Sequence, residues 1–437
     1  MPGAWWSCPP SRSPRWVPRP SPPRARCRPA SRPLPAASPS LLAAIARRTG
    51  TPVYVYSAAV IAERYAAFTA AFGDYPHRVH YALKANSTLA VVRLVRALGG
   101  GVDANSGGEI DVALRAGCEP RDIVFTGVGK TRAELERAVG IGVHVINAES
   151  LGEIERIDEL ARAQGRRAAV ALRVNPDVAA GAHPHIATGG RTHKFGVPLA
   201  AAADTCRRAL ALPGVQLCGL HVHVGSQLGS CEPIREALRP LAELAVDLAR
   251  EGCRLQHLDV GGGLGISYDG SDAPGVAEYA RTVIDAVRPT GLRVIAEPGR
   301  WIVGPAGTLV ASVVDVKDRD GGGRFVVLDA GMSELLRPAL YGAFHRLEPL
   351  EPGPGAPVAC DVVGPICETS DVLGAERLMP VPAVGDLIAI HDTGAYGSVM
   401  ASNYNRHPLP AEVLIDSEGW RVIRRRQTVD DMVGLES

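Results

Sequence analysis

The sequence predicts an α/β fold, a (β/α)8 barrel of the TIM type. A C-terminal β domain, a β-sandwich or β-barrel, follows it and also takes in a strand from the N-terminal side. Three observations predict this. Apolar runs of strand length alternate with helical stretches between residues 79 and 297. Polar and ionisable residues stand at the C-terminal end of run after run. Beyond residue 305 the alternation stops, and short β-rich runs with Gly and Pro turns replace it. Strands that alternate with helices build a parallel sheet covered by helices, and eight of them suit a closed barrel. A doubly wound open sheet shares the alternation.

The eight runs are 79–83, 101–104, 123–126, 143–146, 168–174, 216–224, 255–260 and 293–297. The clearest helical stretches between them are 89–98, 109–116, 132–139, 150–164, 200–211 and 233–250. Runs at 308–317, 324–328, 357–363, 386–391, 411–415 and 420–425 read as strands of the β domain, with a Gly/Pro turn at 351–356. Residues 52–56 are also strand-like, and pairing with that domain would make it discontinuous. The expected division is a tail over 1–40, a segment packing with the β domain over 41–73, the barrel over 74–304 and the β domain over 305–437.

The 437 residues are 46% hydrophobic and 21% charged, which suits a soluble protein with a sizeable core. The net charge of +1 hides an asymmetry. Residues 1–40 hold seven Arg, twelve Pro, seven Ser and no Asp, Glu or Lys. The remainder carries 40 basic against 46 acidic residues, a balance that argues against nucleic acid as a partner. The tail composition predicts disorder. It lacks the apolar core of a signal peptide, and its proline density forbids the amphipathic helix of a transit peptide. No stretch approaches the ~18 apolar residues of a membrane helix. Nine Cys without paired spacing imply a reducing, cytoplasmic setting and no disulfide framework.

Barrel active sites lie at the C-terminal strand ends. There the first run ends in Lys84 and the second in Asp103, followed by Asn105, Ser106 and Glu109. Asn147 ends the fourth, and Arg173 and Asn175 end the fifth. His221, His223 and Ser226 end the sixth, Asp259 and Gly261–Gly263 the seventh, and Glu297, Pro298, Gly299 and Arg300 the eighth. A lysine at a buried strand end needs a charge partner, a lowered pKa or a covalent bond, and its amine suits Schiff-base chemistry. The plain alternative is that Lys84 snorkels to solvent. The Gly261–Gly265 loop admits an anion close to the backbone, as phosphate sites after barrel strands 7 and 8 do; a tight turn is the alternative. Arg300 can add a bidentate anion clamp. Gly127–Thr131 ends like a phosphate-binding loop, but Val124 stands where that motif needs Gly. His221 and His223 share a strand face, so a metal pair is conceivable. His221 reads instead as a satisfied core histidine, and His223 as an aromatic surface for a planar cofactor. A barrel lysine, a phosphate cradle and a deep carboxylate, Glu297, together point to pyridoxal 5'-phosphate.

The motifs then become specific: Tyr81–Asn86, Asp103–Glu109, His193–Gly196, His221–Gln227, Gly261–Gly265, Glu297–Arg300, Leu336–Tyr341, Cys367–Asp371 and Gly394–Gly397. In this order, over about residues 50–433, the chain resembles the alanine-racemase-like group of pyridoxal-phosphate decarboxylases, and within it the diaminopimelate decarboxylases. The resemblance implies lysine biosynthesis by decarboxylation of meso-2,6-diaminopimelate. It implies that Lys84 carries the cofactor, His223 stacks on its ring and Glu297 bonds its ring nitrogen. Ser226, Gly262, Gly263, Arg300 and Tyr396 lie around the phosphate, with Asp103 and Gly299 also at the cofactor. Arg300, Arg337, Tyr341, Glu368 and Tyr396 bind substrate. Cys367 supplies a proton from the neighbouring protomer of a homodimer. No metal is implied. Thr369-Ser370 departs slightly from the family pattern, and the tail has no counterpart in it.

The rivals are decarboxylation of ornithine, arginine, lysine or a carrier-bound amino acid, amino-acid racemisation, a non-catalytic pyridoxal-phosphate-binding protein, and a metal-dependent hydrolase. The Arg337, Tyr341 and Glu368 set argues against the first, since those substrates lack a free distal amino-acid head group. No opposing tyrosine-base motif supports racemisation. The β domain counts against the non-catalytic protein.

Overall fold

Strands buried on both faces read as continuous apolar runs, and such runs pair in parallel. The computed structural model describes residues 37–178, 194–320, 322–351, 353 and 355–436. The expected tail as far as residue 36, and His193 of the 193–196 motif, lie outside them. The first ten strands are β1 (Val53–Ser57), β2 (His77–Ala82), β3 (Gly101–Ala104), β4 (Ile123–Phe125), β5 (Val145–Ala148), β6 (Ala168–Asn175), β7 (Val197–Pro198), β8 (Val215–His221), β9 (His257–Asp259) and β10 (Arg293–Ala296). Parallel pairing runs β5-β4-β3-β2-β10-β9-β8-β6, and β5 also pairs with β6, so the sheet closes on itself. The open-sheet alternative is thereby excluded. Inside, the small side chains of Val124, Val145, Ala171 and Cys218 pack together.

Eight more strands follow: β11 (Gly307–Asp318), β12 (Arg324–Leu328), β13 (Leu347–Pro349), β14 (Val358–Val363), β15 (Val372–Met379), β16 (Leu387–Ile390), β17 (Ala411–Asp416) and β18 (Gly419–Arg424). With β1 they form a second, mixed sheet, in which β1 lies antiparallel to β11 and parallel to β17. Successive side chains of β1 point to opposite faces. Tyr54 and Tyr56 enter one apolar core, Val53 and Val55 another. Helix Pro39–Thr49 covers the second face with Leu42, Ala43, Ile45 and Ala46. Its start, capped by the Ser38 hydroxyl, falls in the stretch read as tail. Helix Ala58–Ala71 also departs from the reading of 41–73 as one segment against the β domain, because Phe68 packs on Tyr279 and Trp301 of the barrel.

His80 and His257 lie at the other end of the barrel from Lys84 and are 0% and 1% exposed. Burial lowers each pKa to about 3, and the neighbouring His144 adds to this. The unfolded chain, near 6.5, therefore binds protons that the folded chain refuses. This contribution is complete above pH 6.5 and is lost on acidification toward 3. At pH 5 the cost is about 2 kcal/mol for each ring. Urea unfolding at pH 7.5 and pH 5.0 checks it. The midpoint is expected to fall at pH 5.0, and to fall less in His80→Gln and His257→Gln than in the parent.

Candidate active site

Lys84 sits one step beyond its expected place, in a short 3-10 turn (Leu83–Ala85) that follows β2. The turn is pinned from the second domain. Tyr396 N–H donates to the Ala85 carbonyl at 2.8 Å, Asn86 Nδ2 to the Gly394 carbonyl at 3.1 Å, and Thr88 Oγ1 to Glu412 Oε2 at 2.7 Å. Tyr396 holds a positive φ of 56°, a conformation that costs a non-glycine residue roughly 1–2 kcal/mol. Such strain clusters at functional sites.

Lys84 Nζ lies 3.4 Å from Oδ2 of Asp103, which is fully buried. Burial works to lower the lysine pKa, but Asp103 and Glu297 outweigh it and raise it. Asp103 is thus a charge partner for the Lys84 amine. Asn105 Nδ2 also donates to Asp103 Oδ2 at 3.0 Å.

Glu297 follows β10 and is 3% exposed. Burial raises its pKa, but His221, Lys84 and a hydrogen bond from Asp259 outweigh it and hold the carboxyl below the usual range. Asp259 moves the other way, pushed well up by burial and by Glu297. Two adjacent carboxyls are thus split, and Glu297 is the ionised one. Asn147 Nδ2 donates to Thr126 Oγ1 at 3.1 Å and lies 3.4 Å from both Asp259 Oδ2 and Glu297 Oε1. The reading of His221 as a satisfied core histidine needs correction. Its Nε2 is 3.4 Å from Glu297 Oε2, an ion-pair distance, yet neither ring nitrogen makes a hydrogen bond among the described residues. Donor atoms of His221, Asp259 and Glu297 all lie within 4.8 Å of one another, and His223 is not in that group.

His223 stands two residues past β8, and its Nδ1 accepts from Gly262 N–H at 3.2 Å. Burial, Lys84 and Arg173 drive its pKa well down, so the ring is a neutral aromatic face. A Cβ at Gly262 would fall on the Glu297 carbonyl oxygen, and one at Gly263 (φ +104°) would come within 2.5 Å of the Gly225 carbonyl oxygen. Only glycine lets this loop close on the strand ends. Arg300, 6% exposed, donates from Nη2 to Ser226 Oγ at 2.9 Å and from Nη1 to Tyr268 Oη at 2.8 Å. Among the described residues its Nε has no hydrogen-bond partner, and its guanidinium faces the Tyr396 ring at 4.9 Å. Arg337 opens the short helix Arg337–Tyr341 and is 5% exposed, with its guanidinium 4.7 Å from the Tyr268 ring centre. Among the described residues, neither arginine has a carboxylate within ion-pair distance.

One cavity is therefore lined by Lys84, His223, Ser226, Gly262, Gly263, Glu297, Gly299, Arg300 and Tyr396. Residues 58–304 match the family described as "Pyridoxal-dependent decarboxylase, pyridoxal binding domain". The diaminopimelate decarboxylase of Neisseria meningitidis serogroup A is 43% identical over 90% of this chain and 96% of its own. That of Pseudomonas fluorescens is 44% identical over 91% and 95%. The chain belongs to the diaminopimelate decarboxylase family. The crystal structure of the Helicobacter pylori diaminopimelate decarboxylase complexed with L-lysine superposes with a TM-score of 0.87 at 38% identity, covering 90% of this chain and 99% of that one. Pyridoxal phosphate is the family's cofactor, and the residues present fit it. They offer a lysine amine, an ionised carboxylate, a neutral aromatic face and a buried arginine with an orphaned Nε beside a loop that a Cβ would fill.

Five of the expected family residues do not line this cavity: Asp103, which stands beside Lys84 Nζ, and Arg337, Tyr341, Cys367 and Glu368. Cys367 and Glu368 are exposed, where Asn405 Nδ2 donates to the Cys367 sulfur at 3.4 Å and Tyr404 Oη to Glu368 Oε1 at 2.6 Å. Tyr341 is half-buried in the Arg337 helix. The described part of the 193–196 motif returns to β6, where Phe195 lies 4.6 Å under Arg173 and Gly196 N–H donates to Glu149 Oε2 at 2.7 Å. Lys130 of the loop that resembles a phosphate-binding motif is a buried strut, 2.8 Å from Glu153 and donating to the Asn147 carbonyl at 2.9 Å. Sequence reasoning missed Tyr268. Its one signal is its place, three residues past Gly265 in the loop after β9.

Proposed function

We propose that this chain decarboxylates meso-2,6-diaminopimelate at its D-centre, giving L-lysine and CO2. The observation that carries this reading is a pair of buried arginines that both meet Tyr268 and have no carboxylate partner among the described residues. A buried cation without a counter-ion is costly, so each calls for an anion. Arg300, beside Ser226 and the glycine loop, takes the cofactor phosphate. Arg337, with Tyr341, takes the distal carboxylate of the substrate. Ornithine, arginine and lysine have no such carboxylate and would leave Arg337 uncompensated.

Lys84 holds pyridoxal phosphate, and Asp103 stands beside its Nζ as the partner for the amine proton. Ionised Glu297 keeps the ring nitrogen protonated, and His223 supports the ring face. Bound there, the cofactor supplies the electron sink for breaking the bond between Cα and the carboxylate. Arg337 fixes which end of the substrate is remote, and so which carboxylate leaves. Cys367 gives a proton to Cα, and Glu368 holds the distal ammonium group. Both are exposed and outside the Lys84 cavity, which supports a homodimer whose second copy brings them to the site. Free thiols in all seven described cysteines fit a cytoplasmic setting, and no described helix is long and apolar enough to cross a membrane.

CO2 release from meso-diaminopimelate, L-lysine and L-ornithine tests the assignment. The parent is expected to prefer meso-diaminopimelate. Arg337→Ala and Glu368→Ala are each expected to lower kcat/KM by roughly 10²-fold or more, the size of a lost charge-assisted contact. If both turned over diaminopimelate like the parent, the substrate assignment would be wrong.

A further inference from the structure

The one hydrogen bond described for the Arg337 guanidinium is unusual in kind. Nη1 donates to Nε2 of His345 at 2.7 Å, and His345 is fully buried. On the other side of that ring, Nδ1 lies 2.8 Å from the His391 carbonyl oxygen. A carbonyl only accepts, so Nδ1 must carry the hydrogen, and the lone pair is left on Nε2. The tautomer is therefore set by the His391 backbone, and it is the one able to receive an arginine N–H. The ring also meets Tyr268 edge-on, with centres 5.2 Å apart and planes at 75°. Tyr268 in turn presents its face to Arg337. The guanidinium is thus held by a lone pair at one point and by a ring face at another.

The choice of a neutral acceptor has a consequence. A buried guanidinium N–H needs a partner, and a carboxylate would be the common one. A carboxylate at position 345 would also cancel the charge of Arg337 and with it the attraction for an anionic substrate group. An apolar residue would leave the N–H orphaned and the guanidinium free to turn. Imidazole satisfies the N–H and leaves the whole positive charge for the ligand. Burial and the adjacent Arg337 keep the ring neutral by lowering its pKa to about 3.

We infer that His345 is a positioning residue that aims Arg337 into the site without compensating its charge, and thereby sets the selectivity for a substrate with a distal carboxylate. This rests on the reading that Arg337 takes that carboxylate, and the test separates the two. The full-length holoenzyme is compared with His345→Gln, His345→Glu and His345→Leu, each with and without Arg337→Ala. Gln keeps a neutral acceptor and is expected to hold KM for meso-diaminopimelate within about threefold of the parent. Glu, nearly the same shape but charged, and Leu, with no acceptor, are expected to raise KM roughly 10- to 100-fold, with kcat changed much less. In the Arg337→Ala background all three are expected to have no further effect, because the residue they act through is gone. Equal KM values for Gln and Glu would overturn the inference, as would a Leu penalty of the same size with and without Arg337. The Gln and Glu pair decides the question even if the Leu variant does not fold. If Arg337→Ala alone leaves KM unchanged, the reading of Arg337 itself fails.

Discussion

Lys84→Ala is expected to yield a folded protein that forms no borohydride-stable bond to pyridoxal phosphate and releases CO2 from meso-diaminopimelate at least ~10⁴-fold more slowly than the parent. That is the scale on which loss of a covalent catalytic group is felt. Peptide mapping after borohydride reduction reads the first outcome, tagging the segment with Lys84 in the parent only. The protein is expected to fold because Lys84 belongs to no apolar cluster. Its side chain keeps 34% of its surface exposed, in a turn held by backbone and side-chain bonds that do not involve Nζ. Loss of the ammonium leaves Asp103 buried among carboxyls, and taking up a proton relieves that charge. Retained turnover with a tag on another lysine would remove Lys84 from the centre of the chemistry.

Mixing two inactive proteins is expected to restore activity. Lys84→Ala keeps an intact Cys367, and Cys367→Ala keeps an intact Lys84. If each site draws on both copies of a two-fold dimer, a heterodimer has one site with both lesions and one with neither. Random re-pairing of equal amounts after dissociation then gives about a quarter of the parent activity. A mixture as dead as its components, with dimers shown by sedimentation, would mean that Cys367 does not serve a partner's site. The exposure of Cys367, and its hydrogen bond to Asn405 away from the Lys84 cavity, make this the decisive experiment for the assembly.

Much of this was legible in the chain, and the illegible parts share a cause. The barrel strands announced themselves because parallel strands are apolar on both faces. Strand β15 did not, since Gly374, Glu376 and Arg377 break its pattern and it lies at the edge of its sheet, where charges are tolerated. Helix Pro39–Thr49 was hidden by the Pro- and Ser-rich composition around it, although Ser38 and Pro39 are themselves a cap and a first-turn proline. Lys84 and Glu297 were legible because a strand end fixes where a side chain goes. His221 was misjudged because its neighbour, Glu297, is 76 positions away in sequence and meets it only through barrel closure. Beyond the place of Tyr268 just after the glycine loop, Tyr268 and His345 carry no local signal. What they do depends on two arginines brought to them by different domains.

The pinning of the Lys84 turn bears on how this protein can be rearranged. The segment matched by the pyridoxal-binding family ends at residue 304, which invites cutting the barrel free or pairing it with a foreign β domain. Yet the three bonds that hold Ala85, Asn86 and Thr88 come from Tyr396, Gly394 and Glu412. The geometry of the Lys84 turn is therefore owned jointly by sequence stretches some three hundred residues apart. A chimera that exchanges one domain must carry both sides of this seam together. Drift on one side is open only to changes that the other can match.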